Sequence, residues 1–225
     1  MRPSAIAVLA AALCVLSAAS TASAKAFPCS VARRHRVLLK TPAGIVVVQR
    51  HVKREQYLFH YTDTYSACLN SAGRWVVLGR GSSDGLAHEE TEAGGEGLLS
   101  TFRLSGPYVT FLSLSGDKYA TVDQKVEQFD LRTGRRTLVA DYRYGLEVAL
   151  QDPLNGQSPS SLVTAPNGDA AWFISGSETG VVVHDASGTR IVAGYTHDRN
   201  PSNLRITERE ITWTDRDEDH SAPLL

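Results

Sequence analysis

The chain has 225 residues, 42% of them hydrophobic, with 23 Lys and Arg against 24 Asp and Glu. A net charge of −1 offers no strong field of one sign to attract nucleic acid or anionic lipid, and the length is enough for one sizeable core. Three cysteines are too few for a disulfide-rich framework and show no metal-binding spacing.

The N-terminus begins with a basic Arg2, continues through an uncharged apolar run over residues 5–16, and reaches Ala22-Ser23-Ala24. That order predicts a secretory signal peptide over residues 1–24, cleaved after Ala24, and a secreted, extracytoplasmic product. Cys14 lies inside the apolar run behind Leu13, the wrong neighbour for a lipid-attachment cysteine. After cleavage no stretch approaches the roughly 18 apolar residues of a membrane span. Residues 25–225 then form a single domain. It retains Cys29 and Cys68, which allow only one intramolecular pairing and are expected to form a disulfide in an oxidising compartment.

In chain order, "ARRHR" at 32–36 reads as a solvated basic approach to the first strand. "RVLLKTPAGIVVVQR" predicts a strand pair hinged at Pro42-Ala43-Gly44, "QYLFHYTDTYSACL" a long strand, and "RWVVLG" a closing strand. Residues 80–97 read as a loop, with one or two helical turns allowed at 86–93. The cycle restarts with "STFRLSGPYVTFLSLSG", "YATVDQKVEQFDL" and "RTLVADY". After a loop at 142–159 it returns as "SSLVTAPNGDAAWFISG", "GVVVHD" and "TRIVAG". Beyond a loop at 194–202, "SNLRITEREITWTDRDEDHSAPLL" starts a further copy. The repeats therefore run over approximately 36–79, 98–141, 160–193 and 203–225. The phrase "DLRTGRR" at 130–136 and its echo "DASGTR" at 185–190 read as hairpin turns. Asp130 and Asp185 are expected to bond turn N–H groups, Gly134 and Gly188 to supply the left-handed position, and Arg135 and Arg190 to open the return strand as solvated charges.

The fold class is thus all-β: antiparallel four-stranded blade-like repeats in a small, about four-bladed, or incomplete β-propeller. Alternate apolar residues Val46, Val48, Val109, Phe111, Trp172, Ile174, Ile211 and Trp213 are the expected core, with Val47 and Leu112 covered on the opposite faces. For the incomplete last copy, ring closure is expected, with 218–225 adding a third strand and 26–36 lying beside it.

The strand–Asp–Thr-Gly-Arg phrase and the "APNGDAAW" hinge resemble the repeats of TolB-type and WD40-like β-propellers, and the whole pattern is similar to exported proteins of high-GC bacteria. The chain lacks the Gly-His and Trp-Asp marks of WD40 repeats. The resemblance implies a binding or scaffolding role and carries no catalytic residue or cofactor with it.

Motifs that carry chemistry find little support in their surroundings. "GSSDG" at 81–85 fits Gly-x-Ser-x-Gly with Ser83 as nucleophile, but no helix or βα alternation follows, so a flexible loop accounts for it. Asp215, Asp217 and Asp219 imitate the start of a calcium loop, yet His220 stands where Gly is required and the twelfth position is missing. His88 and Glu89 open a charged segment, "HEETE", which lacks the second histidine of a zinc helix. These five residues are the candidate cation ligands. The functional expectation is an exported, non-catalytic binding or interaction module for a protein, peptide or glycan, acting without nucleic acid as a monomer or edge-paired homo-oligomer. A hydrolase or lyase with residues gathered from several blades, and a structural cell-envelope component, are the alternatives.

Overall fold

The computed structural model describes residues 29–55, 58–86, 93–96, 98–116, 122–144, 158–175, 179–195 and 201–225. The N-terminal 1–24 and His88 and Glu89 lie outside them. Every element among the described residues is a strand, and the strands form four antiparallel sheets. The first contains β1 (Arg36–Lys40), β2 (Gly44–Glu55), β3 (Leu58–Leu69), β4 (Arg74–Leu86) and β5 (Ala93–Glu96). The second contains β6 (Leu98–Ser105), β7 (Tyr108–Gly116), β8 (Val122–Asp130) and β9 (Arg135–Tyr144). The third contains β10 (Ser158–Thr164), β11 (Ala170–Ser175), β12 (Thr179–Asp185) and β13 (Gly188–Tyr195), and the fourth β14 (Ser202–Ile206), β15 (Glu210–Asp215) and β16 (Glu218–Pro223). Within each sheet the spatial order follows the sequence order, as in the blades of a propeller.

Apolar side chains on both faces make the sheets stack. Val46, Val48 and Leu78 of the first sheet meet Phe102, Val109 and Phe111 of the second. Leu112 and Val126 meet Leu162, Trp172 and Ile174 of the third. Phe173, Val181 and Val183 meet Ile211 and Trp213 of the fourth. All eight expected core residues are buried, and so are Val47 and Leu112. The first copy is nevertheless one residue out of register with the others. Val109, Phe111, Trp172, Ile174, Ile211 and Trp213 face the preceding sheet, whereas Val46 and Val48 face the following one. Their structural equivalents are Ile45 and Val47, which face outward onto Cys29 and Cys68. With both faces of β2 apolar, composition did not distinguish the two registers.

The stack is open. Residues 218–223 supply the third strand of the last sheet, as expected, but the N-terminal segment does not lie beside it. It folds over the outer face of the first sheet, held by the Cys29–Cys68 disulfide (Cα–Cα 5.9 Å) and by stacking of His35 on Trp75 at 6.3 Å. Among the described residues no core cluster joins the fourth sheet to the first. The connection expected at 80–97 is also partly strand. β4 runs on to Leu86, so "GSSDG" lies in β4, where Ser83 pairs with Tyr61 and Gly95.

One device recurs that the strand pattern does not announce. The first strands of sheets two, three and four each carry a β-bulge just after a serine: Ser100, Ser160 and Ser202. The next residue is left-handed in each, Thr101 (φ 52°), Ser161 (φ 50°) and Asn203 (φ 55°). The bulge turns the following apolar residue, Phe102, Leu162 or Leu204, into the inter-sheet core.

Candidate functional site

The carboxylate run 215–219 is divided by its own hairpin. Arg216 and Asp217 form the two-residue turn, both left-handed (φ 50° and 68°), as a type I′ hairpin requires. Asp215 then pairs with Glu218, and Thr214 with Asp219. Directly paired residues share a face, so Asp215 is buried towards the third sheet while Asp219 lies on the outer face of the fourth. Asp217 sits at the tip between them. Among the described residues no three His, Cys, Asp or Glu side chains come together as a cation site.

Asp219 instead joins a groove that was not anticipated. On the outer face of the fourth sheet, Asn203 and Arg205 of β14, Thr212, Trp213 and Thr214 of β15, and Asp219 of β16 line an open volume of about 380 Å³. The bulge at Asn203 swings its side chain over β15, where its amide donates to the Thr214 hydroxyl at 3.4 Å. Thr214 in turn donates to an Asp219 carboxylate oxygen at 3.1 Å. Arg205 stands opposite Thr212. A guanidinium, an amide, two hydroxyls and a carboxylate thus share one groove, a set that both donates and accepts. The sequence signal is the alternation in "EITWTD": Ile211 and Trp213 face the core, and the intervening threonines mark a sheet with one wet face.

The two aspartate turns form as expected. The Asp130 carboxylate accepts the N–H of Arg132 at 2.9 Å and that of Asp185 accepts Ser187 N–H at 2.9 Å, with Gly134 at φ 75° and Gly188 at φ 108°. Arg190, expected to be solvated, is instead bonded to Asp185 at 2.7 Å. Asp185 also accepts the Ser187 hydroxyl and, from 40 residues away, the N–H of Leu225 at 3.0 Å. Burial opposes its charge, but these donors outweigh that and hold its carboxyl far below the usual range. This cluster clips the end of the chain to the third sheet, since Arg190 also donates to the carbonyl of Pro223.

The remaining candidates do not converge. Ser83 is buried in mid-strand, away from the sharp strand-to-helix turn a nucleophile elbow needs. His35 lies on Trp75, His184 on Thr189, and His220 on Trp213. Compared with known proteins, the sequence matches no family model and no curated protein.

Proposed function

We propose that the chain is an exported binding module of the TolB/WD40-like propeller type, which takes a polar peptide or glycan in the groove on its last sheet. The observation that carries this reading is the groove itself. Arg205, Asn203 and the two threonines offer donors to a hydroxyl- or amide-rich ligand, and Asp219 and the threonine oxygens offer acceptors. Its walls are strands locked by ladder hydrogen bonds, so the site is organised before a ligand arrives. The Cys29–Cys68 disulfide supports an extracytoplasmic location.

The test is a titration of the isotope-labelled protein with N-acetylglucosamine oligomers, glucans and short peptides, followed by amide chemical shifts. One class should move Asn203, Arg205, Thr212 and Thr214, and Arg205→Ala with Asp219→Ala should abolish the response. Shifts confined to other sheets, or none with any class, would overturn the site. Export is checked separately: the secreted product should begin Lys25-Ala26-Phe27.

A further inference from the structure

The two ends of the stack differ in kind. The outer face of the fourth sheet is polar, whereas that of the first is apolar and cationic. Cross-strand pairing places Val37, Lys40, Ile45, Val47, Cys68, Trp75, Val77 and Arg80 on that one face. The N-terminal segment covers Ile45, Val47 and Cys68, but Val37, Trp75 and Val77 stay 46%, 37% and 54% exposed. Arg33 and Arg34 stand exposed on the covering segment, and Lys40 and Arg80 on the strands.

The near-neutral net charge conceals a division along the stack. Residues 29–83 hold nine Lys and Arg against two acids, Glu55 and Asp63, while residues 84–225 hold twelve against 22. Asp63 is turned to the opposite face and engaged by Arg50 at 2.7 and 2.8 Å. Around the exposed patch, on β1, β2 up to Lys53, β3 from Thr62 and β4 up to Ser82, no outward position is acidic; Glu55, Asp84 and Glu96 hold outward register positions at the other end of the sheet. The expectation that no field of one sign exists holds for the sum and fails for residues 29–83, the part of the first sheet that carries the patch; Asp84 and Glu96 follow at its far end.

We propose that the outer face of the first sheet docks on an anionic lipid surface. Trp75, Val37 and Val77 enter the headgroup layer, and Arg33, Arg34, Lys40 and Arg80 meet the headgroup charges. An exposed indole with apolar neighbours and a basic surround matches a layer that is apolar beneath and anionic above. A second copy of the chain fits poorly, because a symmetric pair would set the same cations against each other, and the far end of the stack offers a polar face to the apolar patch. Nucleic acid supplies the charge but gives the valines nothing to enter.

The experiment uses the chain from Lys25, which keeps all sixteen strands of the described residues and lacks the apolar run 5–16 that would itself enter a bilayer. Vesicles of phosphatidylcholine with and without phosphatidylglycerol are sedimented with the protein. Binding is expected only to the anionic vesicles, falling about tenfold or more near 1 M salt, where the Debye length shrinks to about 3 Å. Trp75 emission should shift to the blue on binding, and the shift should be absent in Trp75→Phe. The exposed pair Arg33→Glu and Arg34→Glu should cut the bound fraction about tenfold, while Arg209→Glu at the far end should leave it unchanged. Equal binding to both vesicle types, no binding, or binding that survives the Arg33/Arg34 reversal would overturn the proposal. So would dimerisation through Trp75, or its quenching by an oligonucleotide, without vesicle binding.

Discussion

The indole N–H of Trp172 donates to the hydroxyl of Tyr142 at 2.8 Å, tying the second strand of the third sheet to the last strand of the second. The same contact recurs one sheet later between Trp213 and Tyr195. The tryptophans at matching points of the repeat are thus core residues with a polar latch to the sheet before. A double-mutant cycle of Tyr142→Phe with Trp172→Phe should show a coupling of about 1 kcal/mol in urea unfolding. Additive losses would mean that the latch contributes nothing beyond packing.

Tyr142 also sets an alkaline limit. Burial pushes its hydroxyl up to about 12, with the Trp172 hydrogen bond acting weakly the other way. A raised folded value means that the contribution is complete below the ordinary tyrosine range near 10 and is lost as pH climbs through 12. Stability should therefore fall between those limits, and Tyr142→Phe should flatten the fall.

Asp185 gives the opposite sign. Its carboxyl is depressed in the folded state, so its contribution is present above the ordinary aspartate range and disappears as pH falls through the folded value. At neutral pH, Asp185→Asn should cost about 2 kcal/mol, because Arg190, Ser187 and Leu225 lose a charged acceptor. The gap between variant and parent should narrow in strong acid, as read by urea titrations at the two pH values.

Thr101 is β-branched and left-handed, a combination that costs about 1–2 kcal/mol. Thr101→Gly should raise the melting temperature by a few degrees, because relief of that cost exceeds the added freedom of the unfolded chain. Asn203→Gly should change little, since asparagine already tolerates the left-handed region. A destabilised Thr101→Gly would show that the threonine side chain does more than occupy the bulge.

The disulfide spans 39 positions, and in the chain-entropy account a loop of that size contributes about 3–4 kcal/mol. Cys29→Ser with Cys68→Ala should lower stability by that order and make Ile45 and Val47 accessible. Labelling of the oxidised, denatured chain from Lys25 should find no free thiol.

In an open stack, damage is local. Deleting 202–225 removes the fourth sheet and uncovers Phe173, Val181 and Val183, but leaves the core between the first two sheets untouched. Amide exchange should accelerate in β11 and β12 and stay slow in β2 and β7. Uniform loss of protection would demand a closed ring.

Much of this architecture was legible in the residues. Alternation marked the strands, and "PNGD" and "DASG" marked their turns, because periodicity and turn chemistry are local properties. What failed was non-local. The register of the first copy was hidden because both faces of β2 are apolar. Strand β4 was shortened because the glycine and serines at 81–83 read as loop, although the long β3 on one side and the short β5 on the other draw them into the sheet. The groove escaped notice because Asn203, Arg205, Thr214 and Asp219 belong to three strands and carry no spacing of their own. The carboxylate run misled for the converse reason: neighbours in sequence, Asp215 and Asp219 are parted by a turn.

The strictly sequential strand order bears on how the chain is made. Within each sheet every strand after the first bonds to the one just before it, so no sheet waits for a distant segment. A chain emerging from its N-terminus can finish the first sheet, disulfide included, once residue 96 is out, and each later sheet then settles against a finished surface. Assembly is directional, like bricks laid in a course, and a stall at any point leaves a shorter stack behind it rather than a tangle.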